Sequence, residues 1–128
     1  IVTQYNLAGR IKRLGIVPKS DLVALYNAAD AFVFPSCYEG FGIPPLEAFA
    51  CGCPVISSRA TSLSEIVVDA ALTFDPWDVS TLAGHLKTIA SDCQVRKRLI
   101  KSGFERVRNF TYERAARELL ELLEEAAL

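Results

Sequence analysis

The sequence predicts an α/β fold, a Rossmann-like three-layer α/β/α domain built around a parallel sheet. Short continuous apolar runs, which suit strands covered on both faces, alternate along the chain with helical segments. This alternation indicates parallel βαβ units with right-handed crossovers. The length of 128 residues suits one globular domain, and a hydrophobic fraction of 51% can supply its core.

The first predicted elements are a strand and a helix. Residues 11–14 form a short apolar run that ends at Gly15, which predicts a strand. Residues 21–29 follow as a helix. Ser20 is its predicted N-cap, because a serine oxygen can accept a hydrogen bond from a backbone N–H of the first turn.

A strand, a helix and a second strand are predicted next. The apolar run at 31–34 predicts a strand that Pro35 stops. After a loop, Pro45 suits the first position of a helix, where no N–H is needed, and this helix continues to about Cys51. Residues 54–57 predict another strand of the buried type.

The remainder contains one more strand and is otherwise helical. Ser62 or Ser64 caps a short helix that runs through Val68, and residues 71–74 form the last strand. Three helices are predicted after it, at residues 79–91, 94–109 and 112–127.

The last helix carries a wide apolar stripe that requires a packing partner. Its members are Leu119, Leu120, Leu122 and Leu123. We expect this stripe to pack across domains in a longer protein, or to pair with another copy of the chain as a homo-oligomer.

Composition narrows the classes of partner and compartment. With 14 basic and 15 acidic residues and no basic run, the chain lacks the electrostatic footprint of a nucleic-acid-binding protein. No apolar run of about 18 residues and no signal peptide is present, so we expect a cytoplasmic location. The four cysteines form no paired C-x-x-C groups, so no metal site is expected, and Cys51 and Cys53 suit reduced core positions.

The chain contains no Met and starts with what resembles the end of a helix. We therefore expect residues 1–128 to be a single partial domain from a longer protein.

The predicted sheet places its loops on one functional edge. Ligands of parallel α/β sheets bind outside the carboxyl ends of the strands. Four loops are expected there, at residues 15–19, 36–43, 58–62 and 75–78.

The second of these loops has the composition of a ligand site. Gly40 and Gly42 permit close approach of backbone N–H groups to an anion at the start of the following helix. A lone G-x-G also fits any tight turn between a strand and a helix, and the longer dinucleotide and P-loop signatures are absent.

Two glutamates flank this glycine loop. Glu47 alone is explained by a favourable interaction with the helix dipole in the first turn, and Glu39 alone by an ordinary loop position. Together they would repel a phosphate, whereas carboxylate oxygens accept hydrogen bonds from diols. A ligand with both a diphosphate and diols is a nucleotide sugar, and a purely structural loop is the alternative.

The segment PSCYEGFGIPPLEAFACGCPVISS resembles the signature of the family 4 retaining glycosyltransferases, with the E-x₇-E pair at Glu39 and Glu47. The resemblance continues through LGIVPKSDLVALYNAADAFVFPS, LSEIVVDAALTFDPWDV and FTYERAA, and so covers nearly the whole chain. It implies a GT-B enzyme, with two Rossmann-like domains and an active site between them. This chain would be most of the C-terminal, donor-nucleotide domain, without the N-terminal acceptor domain.

The resemblance also implies roles for individual residues. Glu47 would hold the ribose hydroxyls and Glu39 the hydroxyls of the transferred sugar, and these two form the expected catalytic pair. The other expected substrate-binding residues are Val17 at the nucleobase, Gly40, Phe41, Gly42 and Ile43 at the sugar diphosphate, and Leu46 near the phosphate. Ser64 and Val68 depart from the family, which often has Pro and Gly there.

The implied activity is transfer of a sugar from a nucleoside diphosphate sugar to a glycan or glycolipid, with retained anomeric configuration and without a metal or other cofactor. GFGIPPLEAFACG favours a mannosyltransferase using GDP-mannose, with a UDP-sugar as the other donor. The basic pair that neutralises the diphosphate would precede Ile1, so the isolated chain is expected to be inactive. Peripheral membrane contact would come through the acceptor domain. The alternative is a non-catalytic nucleotide-sugar-binding module of the same fold.

Overall fold

The computed structural model describes residues 1–127 and contains one parallel sheet with helices on both sides. The strands are β1 (Phe32–Phe34), β2 (Val55–Ser58) and β3 (Ala71–Phe74), in the spatial order β1-β2-β3. Within the described residues the helices are α1 (Lys19–Ala28), α2 (Ile43–Ala50), α3 (Leu63–Val67), α4 (Val79–Ser91), α5 (Cys93–Val107) and α6 (Tyr112–Ala126).

Alternation along the central strand separates two apolar layers. Val55 of β2 packs in one cluster with α2 and α3, and Tyr26 of α1 joins the same cluster. Its neighbour Ile56 packs in the other cluster with Ile89 of α4 and Leu99 of α5. Because successive side chains point to opposite faces of a strand, the sheet is covered on both sides. The predicted three-layer α/β/α fold is confirmed.

The prediction of a strand at residues 11–14 is wrong. These residues have no regular structure, and Ile11 and Leu14 remain 48% and 47% exposed. A strand is stable only when a neighbouring strand satisfies its backbone groups, and within residues 1–127 no strand pairs with this segment. Because this segment adds no strand beside β1, β1 lies at an edge of the sheet, and its three residues are only half-buried.

The starts of α1 and α2 differ from the sequence predictions, whereas α3 has the predicted N-cap residue Ser62. Pro18, not Ser20, is the N-cap of α1, and the Ser20 hydroxyl donates to Asp21 Oδ1 at 3.3 Å instead. Ser62 caps α3 by position only, without a side-chain hydrogen bond to the helix. α2 begins at Ile43, two residues before the predicted start at Pro45.

The early start of α2 changes the interpretation of Glu47. Gly42 is the N-cap in a left-handed conformation, and Pro44 and Pro45 are the second and third residues of the helix, where an N–H has no partner in the helix. Glu47 therefore lies beyond the first turn, which contains no acidic residue. Its explanation as a first-turn partner of the helix dipole is wrong.

The later helices begin as helix-capping chemistry predicts. Asp78, Asp92 and Thr111 each accept a hydrogen bond from a backbone N–H of the first turn of α4, α5 and α6. Hydrogen bonds from Thr81 and Ser80 hold the pKa of Asp78 well below its usual range. No residue of α6 that the structure describes is buried, and its leucine stripe is 56–63% exposed.

Val68, at the end of α3, has a strained backbone. Its φ of 43° and ψ of −116° lie in a region that glycine adopts readily and that disfavours a β-branched residue. Its side chain is 52% exposed and so contributes little packing in return. Val68 is one of the two positions where the sequence departs from the family that it resembles, in which glycine is often found.

We predict that Val68→Gly stabilises the protein by about 1 kcal/mol, because it relieves a strain of about 1–3 kcal/mol at the cost of a more flexible unfolded chain. Urea unfolding measures the change. Val79→Gly is the matched control, since Val79 is exposed in α4, where glycine is expected to destabilise by up to about 1 kcal/mol. Equal destabilisation by both changes would contradict the assignment of strain to Val68.

Candidate functional site

The loops that follow the three strands meet at one edge of the sheet, because all three strands run parallel. These loops comprise residues 35–42 after β1, 59–62 after β2 and 75–78 after β3. The loop at residues 15–19, expected at this edge because it would follow a strand, follows no strand in the structure.

Hydroxyl groups of the second loop fix the backbone of Glu39 in the first. The Glu39 N–H donates to Thr61 Oγ1 at 3.0 Å. The hydroxyls of Thr61 and Ser62 both donate back to the Glu39 carbonyl, each at 3.0 Å. Nearby, the Ser58 hydroxyl donates to the Ser36 carbonyl at 2.5 Å. The backbone that carries the Glu39 carboxylate is therefore held in place from the neighbouring loop.

The sequence does not predict this role for Ser58 or Thr61. The available signal was a group of hydroxyl residues directly after a buried strand, at the edge where ligands bind. Local rules assign serine and threonine to turns and helix caps. In this site the hydroxyls bond to carbonyls more than 20 residues away along the chain.

Gly42 must be glycine because of both its backbone and its surroundings. Its φ is 110°, and a Cβ there would lie 2.7 Å from Cδ2 of the buried Leu63 side chain. Gly42 is itself buried, whereas Gly40 in the same turn is exposed and a Cβ there would meet nothing within 4 Å. The turn thus depends on one glycine more than on the other.

This turn presents free backbone donors. Within residues 1–127 no group accepts a hydrogen bond from the N–H groups of residues 40–43. The next two residues, Pro44 and Pro45, have no N–H. Free donors at a helix start, with the helix dipole behind them, form a site that favours an anion.

A cavity of about 820 Å³ lies between α2 and the junction of α5 with α6. Four of the predicted site residues line one wall: Phe41, Ile43, Leu46 and Glu47. The other wall comes from distant sequence and includes Arg106, Asn109, Phe110, Tyr112, Arg114 and Glu118. The volume and mixed lining are in the range of small-molecule sites.

The remaining predicted site residues lie outside this cavity. Val17 lines a separate cavity of about 470 Å³ between residues 14–18 and α1. Glu39, Gly40 and Gly42 do not line either of these two cavities, although they belong to the same loop as Phe41. The structure thus brings Glu47 together with the end of the glycine turn but not with Val17.

Glu47 is half-buried beside Tyr26 of α1. Burial raises the pKa of Tyr26 to about 12, and the negative charge of the Glu47 carboxylate contributes to the rise. The Tyr26 ring is also packed edge-on against Phe32 of β1, with ring centroids 5.2 Å apart. Glu47 therefore lies close to Tyr26 and also lines the cavity.

Two absences among the described residues bear on the chemistry of the site. Among residues 1–127, His, Cys, Asp and Glu side chains form no group of three or more suited to hold a metal ion. In the same described part, no helix combines the length and apolar character needed to cross a bilayer.

The family described as glycosyl transferases group 1 matches residues 1–106 of the chain. O-antigen chain mannosyltransferase B of Escherichia coli is 43% identical over 113 residues, which are 88% of this chain and 30% of that protein. D-inositol 3-phosphate glycosyltransferase of Corynebacterium efficiens is 36% identical over 128 residues, covering 98% of this chain and 30% of that protein. The chain spans about 30% of the length of these two relatives.

Solved structures show the same fold. Sucrose-phosphate synthase from Thermosynechococcus elongatus superposes with a TM-score of 0.86 at 35% identity, over 98% of this chain and 32% of that one. The C-terminal domain of a group 1 glycosyl transferase, LpcC from Francisella tularensis, superposes with a TM-score of 0.74 at 32% identity, over 84% of this chain and 57% of that one.

We predict that Gly42→Ala lowers the free energy of unfolding by about 1–3 kcal/mol, because the added Cβ combines backbone strain with a clash against Leu63. Gly40→Ala is the control in the same turn and is expected to change it by no more than about 0.5 kcal/mol, since its Cβ meets open space. Urea unfolding of both variants makes the comparison. If Gly40→Ala lowered the free energy of unfolding as much as Gly42→Ala, the requirement for glycine would not be specific to position 42.

We predict that Tyr26 makes stability fall between about pH 10 and pH 12. The folded state keeps the Tyr26 hydroxyl protonated up to its raised pKa of about 12, while the unfolded chain releases that proton near the ordinary value of 10. In this window the folded state binds more protons, so its stability decreases as the pH rises. Urea unfolding against pH measures the slope, and Tyr26→Phe should make it shallower. An unchanged slope in Tyr26→Phe would contradict the raised pKa.

Proposed function

The chain belongs to the glycosyl transferases group 1 family, and from this premise we propose that it is the donor-binding part of a retaining glycosyltransferase. The proposed reaction transfers a sugar from a nucleoside diphosphate sugar to a glycan or glycolipid acceptor. One observation carries the proposal: Glu47 shares a cavity with Phe41 and Ile43, which belong to the turn with free N–H groups.

Donors for an anion and an acceptor for hydroxyls lie one helical turn apart. Ile43 and Glu47 are related by four positions in α2, so they share a face of the helix and are separated by about 6 Å along its axis. A diphosphate at the free N–H groups and a ribose diol at the carboxylate can therefore belong to one ligand. The carboxylate would repel the phosphate but accept hydrogen bonds from the diol.

Glu39 is assigned to the transferred sugar. Its backbone is fixed by Thr61 and Ser62, so its carboxylate starts from a rigid position. We propose that it orients the sugar hydroxyls and does not attack the sugar as a nucleophile. The free N–H groups of the turn would stabilise the negative charge that develops on the leaving diphosphate.

Other parts of the proposal concern donor, partners and location. One of the relatives described above is named a mannosyltransferase, which favours GDP-mannose over a UDP-sugar as the proposed donor. We propose residues 1–128 as one partial, donor-binding domain, with a second domain binding the acceptor and making any peripheral membrane contact; Leu128 lies outside the described residues. That domain would cover the leucine stripe of α6, and without it the stripe would pair two copies of the chain.

The proposed roles of Val17 and Leu46 rest on sequence resemblance. Val17 is assigned to the nucleobase and Leu46 to the phosphate end of α2, on the resemblance of their sequence positions alone. The described cysteines are free, which agrees with the proposed cytoplasmic location, where thiols stay reduced.

We predict that Glu47→Ala weakens nucleoside diphosphate binding by at least about tenfold, because hydrogen bonds to a charged group contribute about 1.5–3 kcal/mol. Ligand-observed NMR with GDP, UDP and ADP measures this on the chain itself. Each nucleotide is compared with its 2′,3′-dideoxy form, whose affinity should be low and unaffected by Glu47→Ala. Glu118→Ala is the control, since Glu118 places a second carboxylate at the same cavity.

Two results would contradict the proposal. Equal weakening of the dideoxy form by Glu47→Ala would exclude the ribose role. A protein that carries both domains and binds a donor sugar, but releases no nucleotide in the presence of acceptors, would be a nucleotide-sugar-binding module instead of a transferase.

A further inference from the structure

Arg106, near the end of α5, connects three parts of the structure. Its Nε donates to the Ile66 carbonyl at 2.8 Å, and its Nη2 donates to the Glu65 carbonyl. Both carbonyls belong to the last turn of α3, where carbonyl groups lack helical partners and the dipole is negative. The guanidinium therefore fixes α5 to the C-terminal end of α3.

The same guanidinium lies over an aromatic ring. Its Cζ is 4.9 Å from the centroid of Phe110, within the range of a cation–π interaction. Phe110 in turn meets Phe41 edge to face, with centroids 6.0 Å apart and an interplanar angle of 82°. This row of contacts runs from α3 through Arg106 and Phe110 to the middle of the glycine turn.

The turn needs such an anchor because glycine gives its backbone wide freedom. Phe41 stands between Gly40 and Gly42 and is 49% exposed, so only part of its ring is held by packing. Before the turn, Glu39 is fixed by Thr61 and Ser62, the residues that precede α3. At Phe41, the contact with Phe110 is the aromatic contact that restrains the ring.

We propose that Arg106 is a positioning residue for the donor diphosphate. Anchored on α3, it holds Phe110 against Phe41 and so keeps residues 40–43 in one ordered arrangement, whose free N–H groups would bind the diphosphate. The inference rests on the proposed function, since it assigns the anion to the diphosphate. The role requires a planar group that can donate along its edge while one face covers a ring, which lysine lacks.

The first test measures the turn without any ligand. In Arg106→Met, ¹⁵N relaxation should show the order parameters of residues 40–43 falling from about 0.85 toward about 0.6. Arg106→Lys should give a similar fall in the order parameters, because lysine keeps the positive charge but lacks the planar guanidinium with its two N–H donors. Arg108→Met is the control: Arg108 follows α5 directly, is exposed, and has no side-chain hydrogen bond among the described residues. Unchanged order parameters in folded Arg106→Met would overturn the proposal.

The second test separates diphosphate binding from nucleoside binding. If the turn spends a third to a tenth of its time in the binding arrangement, Arg106→Met should weaken GDP or UDP binding about three- to tenfold. Binding of guanosine or uridine, which lack phosphate, should stay the same. Equal weakening of nucleotide and nucleoside would indicate a general structural role and overturn the proposal.

Two comparisons keep the result interpretable. Phe110→Leu removes the aromatic edge but keeps an apolar side chain, so we expect the same loss of order in residues 40–43. This variant replaces Arg106→Met if Arg106→Met does not fold. An ordered turn in Phe110→Leu would then overturn the proposal. Glu47→Ala tests the ribose role separately. Suppose that Arg106→Met weakens nucleotide binding but not nucleoside binding, while Glu47→Ala leaves nucleotide binding unchanged. This result would support the role of Arg106 and reject the ribose role of Glu47.

Discussion

The whole arrangement depends on the burial of β2 between two neighbouring strands and two layers of helices. All four of its residues are buried, and it pairs in parallel with both β1 and β3. Parallel pairing forces the carboxyl ends of the strands to one edge, so the loops after β1 and β2 meet there. Ser57 and Ser58 are polar and buried at this end of the strand, and the structure satisfies both hydroxyls with backbone carbonyls. One of these bonds is already part of the connection between the loops.

The fold was predictable because it follows from local pattern. The apolar runs that became β1, β2 and β3 are continuous, and the helices between them carry recognisable ends. One local prediction was wrong and another was right only in part, for the same reason. The sequence was compatible with more than one local structure, and contacts with distant residues decided which one formed. Residues 11–14 have strand composition but no partner strand among the described residues. The Ser62 hydroxyl fits a helix cap, yet it donates to the distant Glu39 carbonyl.

The candidate site divides in the same way. The Glu39–Glu47 spacing and the glycine turn were visible in sequence, and the structure places Glu47, Phe41 and Ile43 at one cavity. The opposite wall was not predicted, because Arg106 and Phe110 follow Glu47 by about 60 residues. Phe110 begins the FTYERAA segment of the resemblance, but nothing local in the sequence places that segment against the glycine turn. Their effect comes from the α5–α6 junction reaching the turn. Val17, predicted from resemblance at the same site, lines a different cavity.

The two prolines at the start of α2 have a consequence for how such a site adapts. A helix start normally offers several donors whose directions the helix itself sets. Here Pro44 and Pro45 offer none, so an anion at this helix start would find its hydrogen-bond donors mainly in the preceding turn, while the helix dipole adds a favourable field. If an anion binds at this turn, its affinity depends on how well the loop is ordered. Substitutions far from the turn that change this order are then expected to change how quickly the anion is released.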